Sequence, residues 1–230
     1  IPPQDVRAGA FALLNAAPYF PPGTVHVAVV DPGVGSARRP LALQLDTHFF
    51  VGPDNGLFNF PMGAFPIDPS AFAVVHLTNR KFWRRDVSHT FHGRDIFAPV
   101  AAHLSLGVPL AELGDVIARN ATDVRRVLAA TFALPSPKDT RDGAVGEVIH
   151  IDRFGNCITN IRAWRVADGQ PVIAIAGRRI VGVRQTYAEV ERGELLALIG
   201  SSGYLEIAVR EGNAAQTLGV NVGDEVRVVN

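Results

Sequence analysis

The feature that most limits the fold is a change of character near Pro135-Ser136-Pro137-Lys138-Asp139. Before this short stretch of proline and polar residues, helix-like and strand-like periods alternate. After it, every apolar segment is only a strand long. Segments at 145–151, 157–161, 171–176, 179–183, 195–199, 203–209 and 225–229 are punctuated by Gly155-Asn156, Asp168-Gly169, Gly177, Gly200 to Gly203, Gly212-Asn213 and Gly223-Asp224. Many short strands with glycine-rich turns imply a small barrel or sandwich. The 230 residues are long for one domain and comfortable for two. The expected class is therefore α/β: an α/β sandwich-like domain over 1–138, then a small all-β barrel over 139–230.

In the first part, Val6, Ala10, Leu13 and Leu14 share one face of a helix expected over 5–14. Pro21-Pro22-Gly23 breaks the chain. Residues 25–30 are β-branched and almost continuously apolar, the pattern of a buried strand. Further strands are expected at 41–45, 48–52 and 73–77. Ile96, Phe97, Val100, Ala101 and Leu104 lie at helical spacing within 94–106.

Composition removes several classes of function. Lys+Arg and Asp+Glu are each 22, so nothing draws the chain to nucleic acid or an anionic membrane. No apolar run approaches a membrane span. Cys157 stands alone, so no intrachain disulfide forms, and a reducing cytoplasm is the expected compartment. Its place in a strand-like run suits a small buried thiol better than a nucleophile. No signal peptide is visible, and the chain begins at Ile1 without methionine. Charged residues are 19%, below the usual quarter. Surface covered by other subunits and a well-packed enzyme both meet that figure.

Four segments carry chemistry. In Asp31-Pro32-Gly33-Val34-Gly35-Ser36-Ala37-Arg38, an acid follows a strand directly and lands at its carboxyl end, where open α/β sheets bind ligands. A tight turn with an Asp cap meets the same spacing. His89-Thr90-Phe91-His92-Gly93-Arg94-Asp95 offers two histidines and an acid as metal ligands. Gly93 argues against one continuous helix through both, and no Cys/His cluster supports them. His92, just before the expected helix, would face the same sheet edge as Asp31; helix capping is the alternative and suits Asp95 better than His92. Ile151-Asp152-Arg153-Phe154-Gly155-Asn156 and Gly200-Ser201-Ser202-Gly203-Tyr204-Leu205-Glu206, the latter followed by Glu211-Gly212-Asn213-Ala214-Ala215, each join a strand, a glycine turn and a polar group. An aromatic face beside an amide suits a purine, although each segment alone is also an ordinary turn.

Together these segments resemble the S-adenosyl-L-methionine hydroxide adenosyltransferases, relatives of the fluorinase and chlorinase enzymes. The resembling stretches run in family order: Phe20 to Val25, Val29 to Gly35, Val51-Gly52-Pro53-Asp54-Asn55-Gly56-Leu57, Thr90 to Asp95, Ile151 to Asn156, and Ser201 to Val209. The resemblance implies an α/β domain followed by a small β-barrel. It also implies a homotrimer, each site lying between one subunit's first domain and its neighbour's second. The hydrolytic branch carries an Asp-Arg-His set, which falls on Asp31, Arg38 and His92. In the halogenating relatives a Tyr takes the position of Asp31 and no His that of His92, so water is favoured over halide. By the same resemblance, Asp152 and Ser201 hold the amino acid end of the substrate. Phe154 and Asn156 meet the adenine with backbone near Asn213 and Ala214, and Thr90 and Phe91 border the site. Ser202 stands where one relative uses an Arg for the carboxylate. The family's opening strand and helix, whose Asp grips the ribose, are not found before Ile1.

The implied substrate suits these residues. Water would displace methionine at C5′ of a sulfonium, yielding adenosine. The leaving group is a neutral thioether, so no general acid, metal or cofactor is required. A carboxylate attracts the sulfonium, takes a proton from water and repels halide. Arg38 would aim Asp31, and His92 would orient the water or share its proton. The competing readings are a chloride-using enzyme, a non-catalytic S-adenosylmethionine sensor, and a metal-dependent hydrolase using His89, His92 and Asp95.

Overall fold

The computed structural model describes residues 1–59, 72–128, 135–167 and 169–230. Asp168, expected in a turn with Gly169, lies outside them. The chain divides into two compact units, Ile1–Ala133 and Leu134–Asn230.

The first unit is a mixed sheet between helices. Strands β1 (Val25–Val27), β2 (Pro40–Leu45), β3 (His48–Pro53), β4 (Phe72–His76) and β5 (Asp115–Ala118) lie in the order β1-β3-β2-β4-β5. β1 runs parallel to β3, and the remaining pairs are antiparallel. Central β2 is buried on both faces. Leu41, Leu43 and Leu45 join Phe50, Phe72 and Val74 on one side, and Ala42 joins Val51 and Val75 on the other. That division follows from the two-residue period of a strand. Helix α1 (Val6–Ala16) opens at Asp5, whose side chain accepts the Ala8 N–H at 2.8 Å. Helix α2 (Ala98–Ser105) grows out of a wider helical turn over Gly93–Phe97, in which Ala98 N–H reaches back to the Gly93 carbonyl. Ile96, Phe97, Val100, Ala101 and Leu104 bury against the Ala42 side of the sheet.

One expectation needs correction. Residues 25–30 are not a buried strand: only Val25–Val27 form β1, and Val27 and Val29 are 47% and 43% exposed. β1 has β3 as its one partner among the described residues, so its other edge carries no ladder. Ala28 N–H still bonds the Val51 carbonyl at 3.0 Å, which keeps the chain extended toward Asp31. Strand β5 and helix α3 (Ala121–Val127) were not anticipated.

The second unit is an antiparallel, nearly closed barrel. Its strands are β6 (Lys138–Thr140), β7 (Gly143–Ile151), β8 (Cys157–Arg162), β9 (Val172–Ile175), β10 (Arg178–Val181), β11 (Leu195–Ile199), β12 (Tyr204–Val209) and β13 (Glu225–Val229). The order is β10-β9-β13-β7-β8-β12-β11, with β6 beside β7. A bridge between Arg184 and Leu198 links the segment after β10 to β11. Val148, Cys157, Ile161, Ile173, Leu205, Ile207, Val226 and Val228 fill the interior. All seven strands expected after the proline stretch are present within one or two residues of their expected ends; β6 is additional. A short helix, α4 (Ala214–Leu218), follows β12.

Candidate functional site

In the first unit, one loop is folded so that an arginine meets an acid seven residues earlier. Asn55 Nδ2 donates to the Val30 carbonyl at 2.8 Å and fixes the chain just before Asp31. Val34 N–H bonds the Asp31 carbonyl, and Ser36 Oγ donates to the Gly33 carbonyl at 2.7 Å. This turn returns Arg38 to Asp31. Arg38 Nε donates to both carboxylate oxygens at 3.0 and 2.9 Å, and Nη2 lies 2.5 Å from Oδ2. The two side chains are only 5% and 8% exposed. Gly35 has φ +79, and a Cβ there would stand 2.8 Å from the His89 carbonyl. The loop thus lies directly against the segment that carries the histidines, an approach only glycine permits.

His92 completes the cluster: its Nδ1 is 2.7 Å from Arg38 Nη2. Arginine can only donate, so Nδ1 accepts, and the neutral imidazole keeps its proton on Nε2. Burial holds His92 below the usual histidine range, and the Arg38 charge adds to it; Asp31 and Asp95 pull the other way. Asp31, Arg38 and His92 are therefore brought together.

Asp95 is not the helix cap the sequence suggests. It lies inside the first helical turn, fully buried. It accepts Arg94 Nε at 2.7 Å and the Ser88 N–H at 2.9 Å, with Arg84 at 3.7 Å. The Arg94 hydrogen bond, then the Ser88 N–H, holds its carboxyl down at about 2. It clamps the 84–95 segment, and its oxygens are taken by these donors. Thr90 and Phe91 flank His92 on an exposed stretch; Phe91 is 58% exposed beneath the Arg94 guanidinium. Arg38 and His92 also border a cavity of about 510 Å³ with Trp83, Arg84, Arg85 and His89, and among the described residues no Asp or Glu lines it.

In the second unit, Asp152 organises a turn rather than standing free. Its Oδ1 accepts the N–H groups of Phe154 and Asn156 at 2.9 Å each, and its Oδ2 accepts Asn156 Nδ2 at 3.0 Å. Gly155 has φ +86, and a Cβ there would lie 2.0 Å from Asn213 Cγ. Ala215 N–H bonds the Gly155 carbonyl at 2.9 Å, while Asn213 Oδ1 caps α4 through Gln216 N–H at 2.8 Å. These bonds join the turn to the start of α4. Between them opens a cavity of about 550 Å³, lined by Phe154, Asn156 and Asn213 with Tyr187, Val209, Glu211 and Gly212. That is the size of a small-ligand site. Phe154 is 78% exposed, and Ala214 is buried behind the wall.

Ser201 and Ser202 lie on a separate turn, closed by Gly203 N–H to the Gly200 carbonyl at 2.9 Å, and do not line that cavity. Tyr187 was missed. Its signal was Thr186 and Glu189, a capping box that fixes the short helical turn Tyr187–Glu189. Burial pushes the Cys157 thiol up to about 11, as befits a packing residue.

Comparison with known proteins agrees across the chain. Residues 1–114 match the model of the SAM hydroxide adenosyltransferase N-terminal domain, and 146–227 that of its C-terminal domain. A relative from Salinispora tropica, named (R)-S-adenosyl-L-methionine hydrolase, is 43% identical over 99% of this chain and 83% of its own length. One of the same name from Thermus thermophilus is 43% identical over 100% of this chain and 85% of its own. The crystal structure of an uncharacterized conserved protein from Thermotoga maritima superposes with TM-score 0.84 at 33% identity, covering 100% of this chain and 86% of that one.

Proposed function

Because the chain belongs to the SAM hydroxide adenosyltransferase family, we propose that it hydrolyses S-adenosyl-L-methionine to adenosine and L-methionine. The observation that carries this reading is the hydrogen-bonded, part-buried Asp31–Arg38–His92 cluster. Asp31 is the general base. Its carboxylate takes a proton from water as the water oxygen bonds to C5′, and the C5′–S electrons leave with sulfur. Arg38 grips Asp31 by its edge and leaves one lone pair on Oδ1 for the water. With Nδ1 turned to Arg38, His92 presents Nε2–H, which orients the attacking oxygen and does not compete for its proton. General-base assistance of this kind supplies about 10²–10⁴-fold. Alignment of water with the C5′–S bond contributes the larger share. The thioether leaves uncharged, so the reaction runs without a metal or cofactor.

The cavity of the second unit is the adenosyl site in this proposal. The Phe154 ring stacks on the purine, Asn156 meets its edge, and the backbone at Asn213 and Ala214 closes the far side. Asp152 and Ser201 take the amino acid end, Ser202 stands beside the carboxylate, and Thr90 and Phe91 border the reacting carbon. A homotrimer belongs to the same proposal, in which the exposed rings of Phe91 and Phe154 are covered; light scattering would measure the mass. A cytoplasmic location does too, and among the described residues no helix is long and apolar enough to cross a membrane.

The decisive experiment supplies S-adenosylmethionine to the purified protein with high chloride. Adenosine and methionine in equal amounts are expected. A dominant 5′-chloro-5′-deoxyadenosine would instead make it a halogenating enzyme. Tight binding without any product would make it a sensor.

A further inference from the structure

Glu206 has no role in the account above, yet it is a buried carboxylate with an unusual choice of partner. It lies on β12, whose register sets it opposite Leu198 on β11 and Ile158 on β8. Strand alternation sends Leu205 and Ile207 into the barrel interior and Glu206 to the other face, with Ala208. There it is 8% exposed. No Lys, Arg or His pairs with it among the described residues. Among the described residues, its carboxylate accepts one side-chain hydrogen bond, from the Tyr187 hydroxyl at 2.6 Å to Oε1. Oε2 lies against Gly200, where a Cβ would approach to 2.7 Å, so the missing side chain at 200 makes room for the carboxylate.

A buried charge without a cation is costly, and an apolar residue would pack this face more cheaply. What Glu206 gains is a hold on one residue, and that residue lines the cavity. Tyr187 sits on a single helical turn and is 42% exposed, so packing alone leaves its ring free to swing. A short bond to a carboxylate fixes the ring by its far end.

We propose that Glu206 is a positioning residue, which holds the Tyr187 ring as a wall of the cavity and thereby sets affinity for the adenosyl group. The inference rests on the reading of that cavity as the adenosyl site. Burial first, then the bond to Glu206, raises the Tyr187 hydroxyl far above its ordinary range, so it remains a donor at every working pH. The carboxylate itself touches no reacting atom in this account, so its loss should weaken binding and spare the chemical step.

The test is a double-mutant cycle read by calorimetric adenosine binding, together with KM and kcat for S-adenosylmethionine. Tyr187→Phe keeps the ring and removes the bond; the adenosine Kd and the KM should rise about tenfold with kcat within about twofold. Glu206→Leu should do the same, and the double variant should be no worse than either alone. Glu206→Gln retains an acceptor oxygen for the phenol and should bind adenosine within about threefold of wild type. Should Glu206→Leu not fold, Tyr187→Phe and Glu206→Gln carry the test, with melting curves as the check. Unchanged affinity in Tyr187→Phe, effects that multiply in the double variant, or a Glu206→Gln as weak as Glu206→Leu would each overturn the inference while the adenosyl reading stands. A wild-type protein that does not bind adenosine would remove both.

Discussion

The two units arrange their polar groups by opposite means. In the first, three charged or polar side chains hold one another: Asp31, Arg38 and His92 are linked by hydrogen bonds of 2.5 to 3.0 Å, and the neighbouring cavity is basic. In the second, the Asp152 carboxylate accepts two backbone N–H groups and the Asn156 amide, and the cavity is walled by rings, an amide and a short helix. The first arrangement is suited to moving a proton, the second to recognising a shape. Chemistry needs a group whose protonation and aim are fixed, whereas a purine needs a slot whose walls do not move.

That contrast predicts a separation of kinetic effects. The largest belongs to Asp31→Asn, which keeps the volume and removes the base; kcat should fall about 10²–10⁴-fold while adenosine binding by calorimetry stays near wild type. Arg38→Met comes next. Asp31 loses its edge-on partner and His92 loses the charge that lowers it, so kcat should fall by at least about tenfold. The histidine titration, followed by NMR, should move upward. A binding-only loss in either variant would break the comparison. On the other side, Asn156→Ala should raise the KM about tenfold or more with kcat little changed, because a buried amide edge is lost from the slot.

The smallest effect concerns stability. His26 is held below the usual range by burial and by the nearby His48, so its neutral form is favoured in the folded protein. The unfolded chain then binds the extra proton first. Stability from this site is full above about 6.5 and is lost as pH falls from there toward the lower folded value. Denaturant midpoints of His26→Phe should be flatter than wild type over that window. Equal slopes would assign the acid sensitivity elsewhere.

The same contrast explains what could be read from the chain. The barrel was legible because glycine turns such as Gly155-Asn156 and Gly200 to Gly203 cut it into strands of visible length. Asp115–Ala118 was invisible, since four residues show no alternation. Val27 and Val29 misled, because an apolar side chain on a sheet edge has the same letter as one in a core. Spacing alone showed Asp31 and Arg38 as neighbours in a loop; it did not show the hydrogen bond between Arg38 and His92, 54 positions apart. The residue pattern set His92 and Asp31 at one sheet edge, and the family resemblance joined the three as one set. Tyr187 carried only the capping box of Thr186 and Glu189, which says nothing of a cavity, and its hydroxyl donates to a carboxylate nineteen residues later.

The central claim is that Asp31 readies a solvent molecule for attack at C5′. Turnover of S-adenosylmethionine in water enriched in oxygen-18 tests it directly, with mass spectrometry on the nucleoside. Wild type should yield adenosine carrying one labelled 5′-hydroxyl, and Asp31→Asn should yield almost none. Unlabelled adenosine, or labelled adenosine formed by Asp31→Asn at the wild-type rate, would contradict it.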